Sequence, residues 1–304
     1  QASFSVPASL HRLFRLIPAA MGPVKFDDLP KAANELLNDD YQIGYQMKAK
    51  QKSNWDGATL TSTVDVWPPK EAAKITWKFP SPFGLAGISL DKVELDKKGM
   101  LKLEASYDKK LHKVPDLKIE TKSDAIDPMN ATVRPTLGGV TTAFTYTGIK
   151  DTQIKCDAKA LAEKPSLVLE LTRSMKKTVF GVKWGLASPT KPDLGVRHEH
   201  GPLFMSFLAK EGLSVFNVHG HYKYSDDIKL ACTYQSGGKL SGNFAFGLAY
   251  AIKKGTSLKV KLMKDMAVQA GLKHEVAKGF TVLAGCKYDS KSGKQSYGVQ
   301  LSIE

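Results

Sequence analysis

The last third of the chain alternates with period two, strand after strand. In 296–304, Tyr297, Val299, Leu301 and Ile303 fall on one face, against Ser296, Gly298, Gln300, Ser302 and Glu304 on the other. Upstream, Phe280, Val282, Ala284, Cys286 and Tyr288 alternate with Thr281, Leu283, Gly285 and Lys287. Leu258, Val260 and Leu262 alternate with Ser257, Lys259 and Lys261, and Phe244, Phe246, Leu248 and Tyr250 with alanine and glycine. Alternation of this kind makes strands with one apolar face. The opposite faces are small or cationic. Such strands, joined by short Gly, Lys or Asp turns, suit a barrel with lipid outside and a wet lumen inside.

The bulk properties fit that architecture. The 304 residues suffice for one large all-β domain. No segment approaches the roughly 18 apolar residues of a spanning helix. A mean hydropathy of −0.25 is compatible with a spanning barrel, because only alternate residues meet lipid. The formal charge of +14 predicts a polyanionic partner: an anionic lipid surface, nucleic acid, or small anions such as phosphates. Nucleic acid is disfavoured, since Phe and Tyr lie opposite the basic faces rather than among them. Cys156, Cys232 and Cys286 are far apart on apolar faces, which argues against a disulfide framework or a zinc site. No P-loop, nucleophile elbow or dinucleotide turn is present, so no cofactor and no enzymatic activity are expected.

Three regions follow. Residues 1–25 form a basic amphipathic extension, acid-free, with Leu10, Leu13, Phe14, Leu16 and Ile17 among His11, Arg12 and Arg15. It resembles a mitochondrial presequence; alternatively, it is an addition upstream of Met21 that binds a protein partner. Residues 26–40 make the strongest helix. Asp27 or Asp28 can cap it, Pro30 fits its first turn, and Leu29, Ala33, Leu36 and Leu37 form its apolar stripe. Residues 41–304 hold about 19 strand-like segments of the length a tilted bilayer crossing needs. They begin with 41–50, include 128–135 in the less regular middle, and end with 295–304. Residues 188–201, with Pro189 and Pro192, read as a loop.

Two stretches resemble a known family. Met21-Gly22-Pro23, the run Phe26 to Leu37 and Asp40-Tyr41 are similar to the amino-terminal helix and first-strand entry of eukaryotic mitochondrial porins, the voltage-dependent anion channels. So are Thr256 to Lys261, Ala270 to Glu275 and Gly298 to Glu304. The middle matches only in strand rhythm. Departures are Lys253 where an acid follows the tyrosine, the missing asparagine near Leu262-Met263, and 188–201, which looks inserted. That family has 19 strands, so the count above is not independent of the resemblance. The resemblance implies a mitochondrial outer-membrane channel, weakly anion selective, passing phosphate and nucleotides. Two rivals share the fold: a structural subunit of a larger mitochondrial membrane assembly, and the protein-import barrel of the same membrane, whose lumen should show acidic and apolar tracks for presequences.

If the apolar faces meet lipid, alternation places Lys48, Lys50, Lys102, Lys118, Lys122, Lys155, Lys159 and Lys183 in the lumen. Lys223, Lys229, Lys259, Lys261, Lys273 and Lys287 join them, against the acids Glu104, Glu120, Asp157, Glu170 and Glu275. A net-basic lumen favours anions. The helix, carrying Lys31, would sit inside or at the pore. Gly271-Leu272-Lys273 resembles a tripeptide proposed in the family to touch nucleotides. His198-Glu199-His200 is expected in a loop and His219-Gly220-His221 on a strand; neither has an evident third metal ligand, so no metal is expected. Asp91 lies near the position of a membrane-facing acid in some family members.

Overall fold

The computed structural model describes residues 22–53, 57–67, 73–85, 87–107, 114–124, 139–159 and 164–304, excepting the side chains of Val66, Trp67 and Phe83. The extension to residue 21 and the segment expected at 128–135 lie outside the described residues. A 3-10 turn at Phe26–Asp28 leads into helix α1, Lys31–Asn38. The expected single helix over 26–40 is therefore two pieces. Pro30 stands between them at φ −89° and ψ 9°; it has no N–H to carry helical bonding across.

The strands are β1 Gly44–Lys52, β2 Thr59–Trp67, β3 Lys74–Phe79, β4 Ile88–Asp96, β5 Leu101–Tyr107, β6 Leu117–Ser123, β7 Val140–Tyr146, β8 Thr152–Lys159, β9 Ser166–Met175 and β10 Thr178–Gly185. They continue with β11 Asp193–His200, β12 Leu203–Lys210, β13 Val215–Lys223, β14 Ile228–Ser236, β15 Asn243–Lys253, β16 Thr256–Met263, β17 Val268–Ala277, β18 Phe280–Tyr288 and β19 Gln295–Ile303. Each pairs antiparallel with its sequence neighbour. β1 also pairs with β19 in parallel, from Gly44↔Gly298 to Ala49↔Ile303, which closes a 19-stranded barrel. An odd strand number requires that one parallel seam. Closure leaves no sheet edge unpaired, the condition for a sheet in lipid.

The strand at Asp193–His200 corrects the loop expected at 188–201. The prolines fall before it, and Leu194, Val196 and His198 alternate with Gly195, Arg197 and Glu199. It pairs fully with β10 and β12. The glycine and histidines weaken its apolar signal, so the alternation is easy to overlook.

One face of the wall carries exposed Leu, Phe, Tyr and Met side chains, including Met47, Leu103, Phe180, Phe207, Leu248 and Ile303. The other face carries the charges and the segment 24–44. Lys25 reaches Glu120 on β6, Asp27 reaches Lys183 on β10, and Asp40 reaches Lys259 on β16 and Lys273 on β17. A short segment can touch β6, β10, β16 and β17 of a closed barrel only from within. The charged face is therefore the lumen and the apolar face is the outside.

Candidate functional site: the lumen and its docked amino-terminal segment

The segment 24–44 lies along the lumen wall in a track cut by glycines. At its start, Phe26 and Leu29 are wholly buried with Val179 and Leu208. The wall there is Gly181 paired with Gly195. A Cβ at Gly181 would stand 2.9 Å from the Phe26 ring, and one at Gly195 would stand 2.5 Å from Leu29. Helix α1 then packs Ala33, Leu36 and Leu37 on Phe204 and Ala231, over Gly247. This is the stripe of Leu29, Ala33, Leu36 and Leu37 read from the sequence, and burying it is what holds so short a helix. Lys31 lies off that stripe, largely exposed and loosely paired with Glu35 at 4.0 Å.

Beyond α1 the chain crosses the last strands over a row of register-aligned glycines, Gly271↔Gly285↔Gly298↔Gly44. A side chain at Gly271 would overlap the Asp40 carbonyl oxygen, and one at Gly285 the Gln42 carbonyl oxygen. Close backbone approach of this kind requires glycine. Polar contacts fasten the same path. The Thr172 hydroxyl donates to the Val24 carbonyl at 2.6 Å. Lys259 Nζ donates to the carbonyls of Glu35 and Asp39 at 3.2 Å each, meeting the unsatisfied, electronegative end of α1.

Asp40, at φ 63°, sits between Lys259 at 3.1 Å and Lys273 at 3.4 Å. Burial alone would raise its pKa. The hydrogen bonds and charges of the two lysines outweigh that, and the carboxyl is held below its ordinary 3.8. A depressed carboxyl stabilises the docked path above the ordinary value, and the contribution is lost as pH falls through the depressed one. Amide-exchange protection of residues 39–44, corrected for intrinsic rate, should hold from neutral pH to about pH 5 and drop below about pH 4. In Asp40→Asn that drop should vanish; if it persists unchanged, Asp40 is not the group responsible. Burial and the Asp40 charge also push the neighbouring Tyr41 phenol up to about 12, so it stays protonated.

By register, all fourteen lysines expected in the lumen take inward positions: Lys48, Lys50, Lys102, Lys118, Lys122, Lys155, Lys159, Lys183, Lys223, Lys229, Lys259, Lys261, Lys273 and Lys287. They do not form one ring. From β3 to β11 they are zipped to acids. Glu94 meets Lys92 at 3.0 Å and Lys74 and Lys102 at 4.0 Å; Lys122 meets Glu104 at 3.5 Å. Glu170 lies 3.0 Å from Lys183 and 3.8 Å from Lys155, which also pairs with Asp157, and Arg197 pairs with Glu199. On the opposite wall, Lys229, Lys287 and Lys48 have no carboxylate partner among the described residues. Lys261 there faces the Tyr41 ring at 4.7 Å.

The sequence reading undercounted the luminal acids. Glu94 and Asp91 escaped it because β4 carries a bulge between Leu90 and Lys92 that breaks the alternation. The bulge turns Asp91 inward, within 3.5 Å of Lys78 and 3.0 Å of the Ser89 hydroxyl, so it does not face the membrane. Of Gly271-Leu272-Lys273, only Lys273 presents a side chain to the lumen; Gly271 lies under Asp40 and Leu272 faces outward. His198 and His200 lie on β11, not in a loop, and point outward. His219 and His221 point inward, and no cluster of metal ligands occurs among the described residues.

A closed barrel with a lipid-type exterior, a charged lumen and an internal helix defines a pore-forming membrane protein. The chain belongs to the eukaryotic porin family, whose model matches residues 22–298. No curated protein sequence matches it. Among solved structures it is similar to a mutant porin of Rh. blastica at 11% identity, covering 71% of this chain and 90% of that one, with a TM-score of 0.43. A triple mutant of the Rhodopseudomonas blastica porin aligns at 9% identity over 85% of this chain and 94% of that one, with a TM-score of 0.42.

Proposed function

We propose that the chain forms a water-filled channel in the mitochondrial outer membrane, passing small anionic metabolites such as phosphate and nucleotides with a weak preference for anions. The observation that carries this is the uneven lumen. Acids from β3 to β11 neutralise most of their lysines, whereas Lys48, Lys229 and Lys287 make no ion pair among the described residues. A solute passing that wall meets uncompensated positive charge, and Lys273 lies close by. Neutralised pairs contribute little field beyond the Debye length of about 8 Å at physiological salt, so the preference is moderate.

The test is the reversal potential across a salt gradient in planar bilayers. Wild type should favour chloride over potassium. Lys48→Glu with Lys287→Glu should shift the potential towards potassium or reverse its sign. Lys259 is unsuitable for this test because it holds the end of α1. An unchanged potential in the double variant would place the conducting path elsewhere, and a wild type without conductance would overturn the channel reading.

A further inference from the structure

We infer that the outer rim over β9–β11 is a binding site for an anionic phospholipid, its phosphate held by Arg173, Lys176 and Lys177. The inference goes beyond conduction: it concerns the outside of the wall, and no lumen residue enters it.

The first observation is Arg173. Leu167, Leu169, Leu171 and Met175 share its outward row on β9. Apart from Lys253 at the end of β15, no other Lys, Arg, Asp or Glu takes an outward strand position among the described residues. A cation facing lipid is costly near the midplane, far less so near an interface, and functional by default. Arg173 stands two residues from the end of β9, where its guanidinium can reach the headgroups while its stem stays on apolar surface.

The second observation is what surrounds it. The turn after β9 is Lys176-Lys177, with Lys176 at φ 57°. The Ser174 amide donates to the Asp151 carbonyl, bringing in the turn that holds Lys150, and the Glu199 amide donates to the Lys177 carbonyl. On the outward face Thr178 pairs with both Met175 and His198, and Phe180 with both Arg173 and Val196. The Thr178 hydroxyl lies 2.8 Å from His198 Nδ1, and the His198 ring stacks parallel to His200. With strands about 4.8 Å apart, the span from β9 to β11 is roughly 10 Å. Asp151 is the one carboxylate in these turns; Glu199 faces inward to Arg197. Unlike the zipped luminal lysines, Arg173, Lys176 and Lys177 make no ion pair among the described residues.

The third observation sets the chemistry. Between the turn lysines and the level of Arg173 lie the exposed side chains of Met175 and Met205, Phe180 lies level with Arg173, and Leu171 lies one rung deeper. A free anion would use only the charges. A phospholipid uses both parts: its phosphate meets the guanidinium and ammonium groups, and its acyl chains run past the methionines and Phe180 onto Leu171. Arginine suits a phosphate because its fork donates two parallel hydrogen bonds.

Native mass spectrometry of the full chain in detergent, titrated with dioleoyl phosphatidic acid or dioleoyl phosphatidylcholine, tests this. Wild type should bind the anionic lipid at least about tenfold more tightly, some 1.4 kcal/mol. Arg173→Gln with Lys176→Gln and Lys177→Gln should reduce it to the phosphatidylcholine level. Arg173→Gln alone, the fallback if the triple variant fails to fold, should lose several-fold. Lys253→Gln with Lys254→Gln, at the same end of the barrel, should keep wild-type affinity. Equal binding of the two lipids by wild type overturns the inference. So does retention in the β9 variants, or equal loss in the Lys253 and Lys254 variant, which would mean diffuse rim charge. Displacement by glycerol 3-phosphate as effective as by a short-chain phosphatidic acid would make it a free-phosphate site and overturn it also.

Discussion

Phe26→Ala combined with Leu29→Ala should release the amino-terminal segment from the lumen wall. Both side chains are wholly buried, and both fit the hollow made by Gly181 and Gly195. Truncating a buried Phe or Leu to Ala typically costs about 3 kcal/mol. The two share one hollow, so the sum falls short of additive; a combined loss of about 4 kcal/mol shifts docking by roughly a thousandfold. The barrel itself should survive, since its ladder does not pass through the segment. Trypsin added to the reconstituted protein reports the change, because cleavage after Lys31 requires α1 to leave the wall. Wild type should be cut slowly and the double variant fast, with a circular-dichroism strand signal unchanged. Filling the hollow from the wall side, with Gly195→Leu, should have the same effect. Equal protection in all three would mean that these contacts do not hold the segment.

The wall and the helix differ in how legible they were. Strong alternation marked β15 to β19, and the lysines on the polar side of those strands followed from period two alone. The apolar stripe Leu29, Ala33, Leu36 and Leu37 was readable for the same reason, since spacing encodes a face. What periodicity cannot encode is which face meets what. The glycines at 181, 195, 247, 271, 285 and 298 read as a small polar face, but each is small because another part of the chain lies on it. Their recurrence on polar-face positions of successive strands was the available signal. Ion pairing was equally hidden: Glu94 neutralises lysines on three strands, and only register brings them together. One bulged residue in β4 sufficed to misplace Asp91. The loop expected at 188–201 failed because two prolines outweighed the weaker alternation after them.

Leu248→Arg should destabilise the barrel by about 2–4 kcal/mol if the outer face meets lipid near its midplane. Leu248 is central in β15, 37% exposed, and flanked in register by Leu230 and Val260. The neighbouring Ala249 points inward but packs against α1, so an arginine there would disturb the helix as well and is a poor control. Gln300, inward on β19 between Leu283 and Gln46 and clear of α1, serves better. Gln300→Arg should cost well under about 1 kcal/mol, because a wet lumen solvates the charge. A third substitution separates lipid from a merely dry protein partner. Ile252 faces outward at the end of the same strand, where an arginine can reach the headgroups, and Ile252→Arg should cost only about 0–1 kcal/mol. Denaturant unfolding in lipid vesicles measures all three. A cost that falls from Leu248 to Ile252 is the signature of a bilayer, whose polarity rises towards its surface. A high, equal cost at both would indicate a packed protein interface, and an equal cost at Leu248 and Gln300 would overturn the assignment of inside and outside.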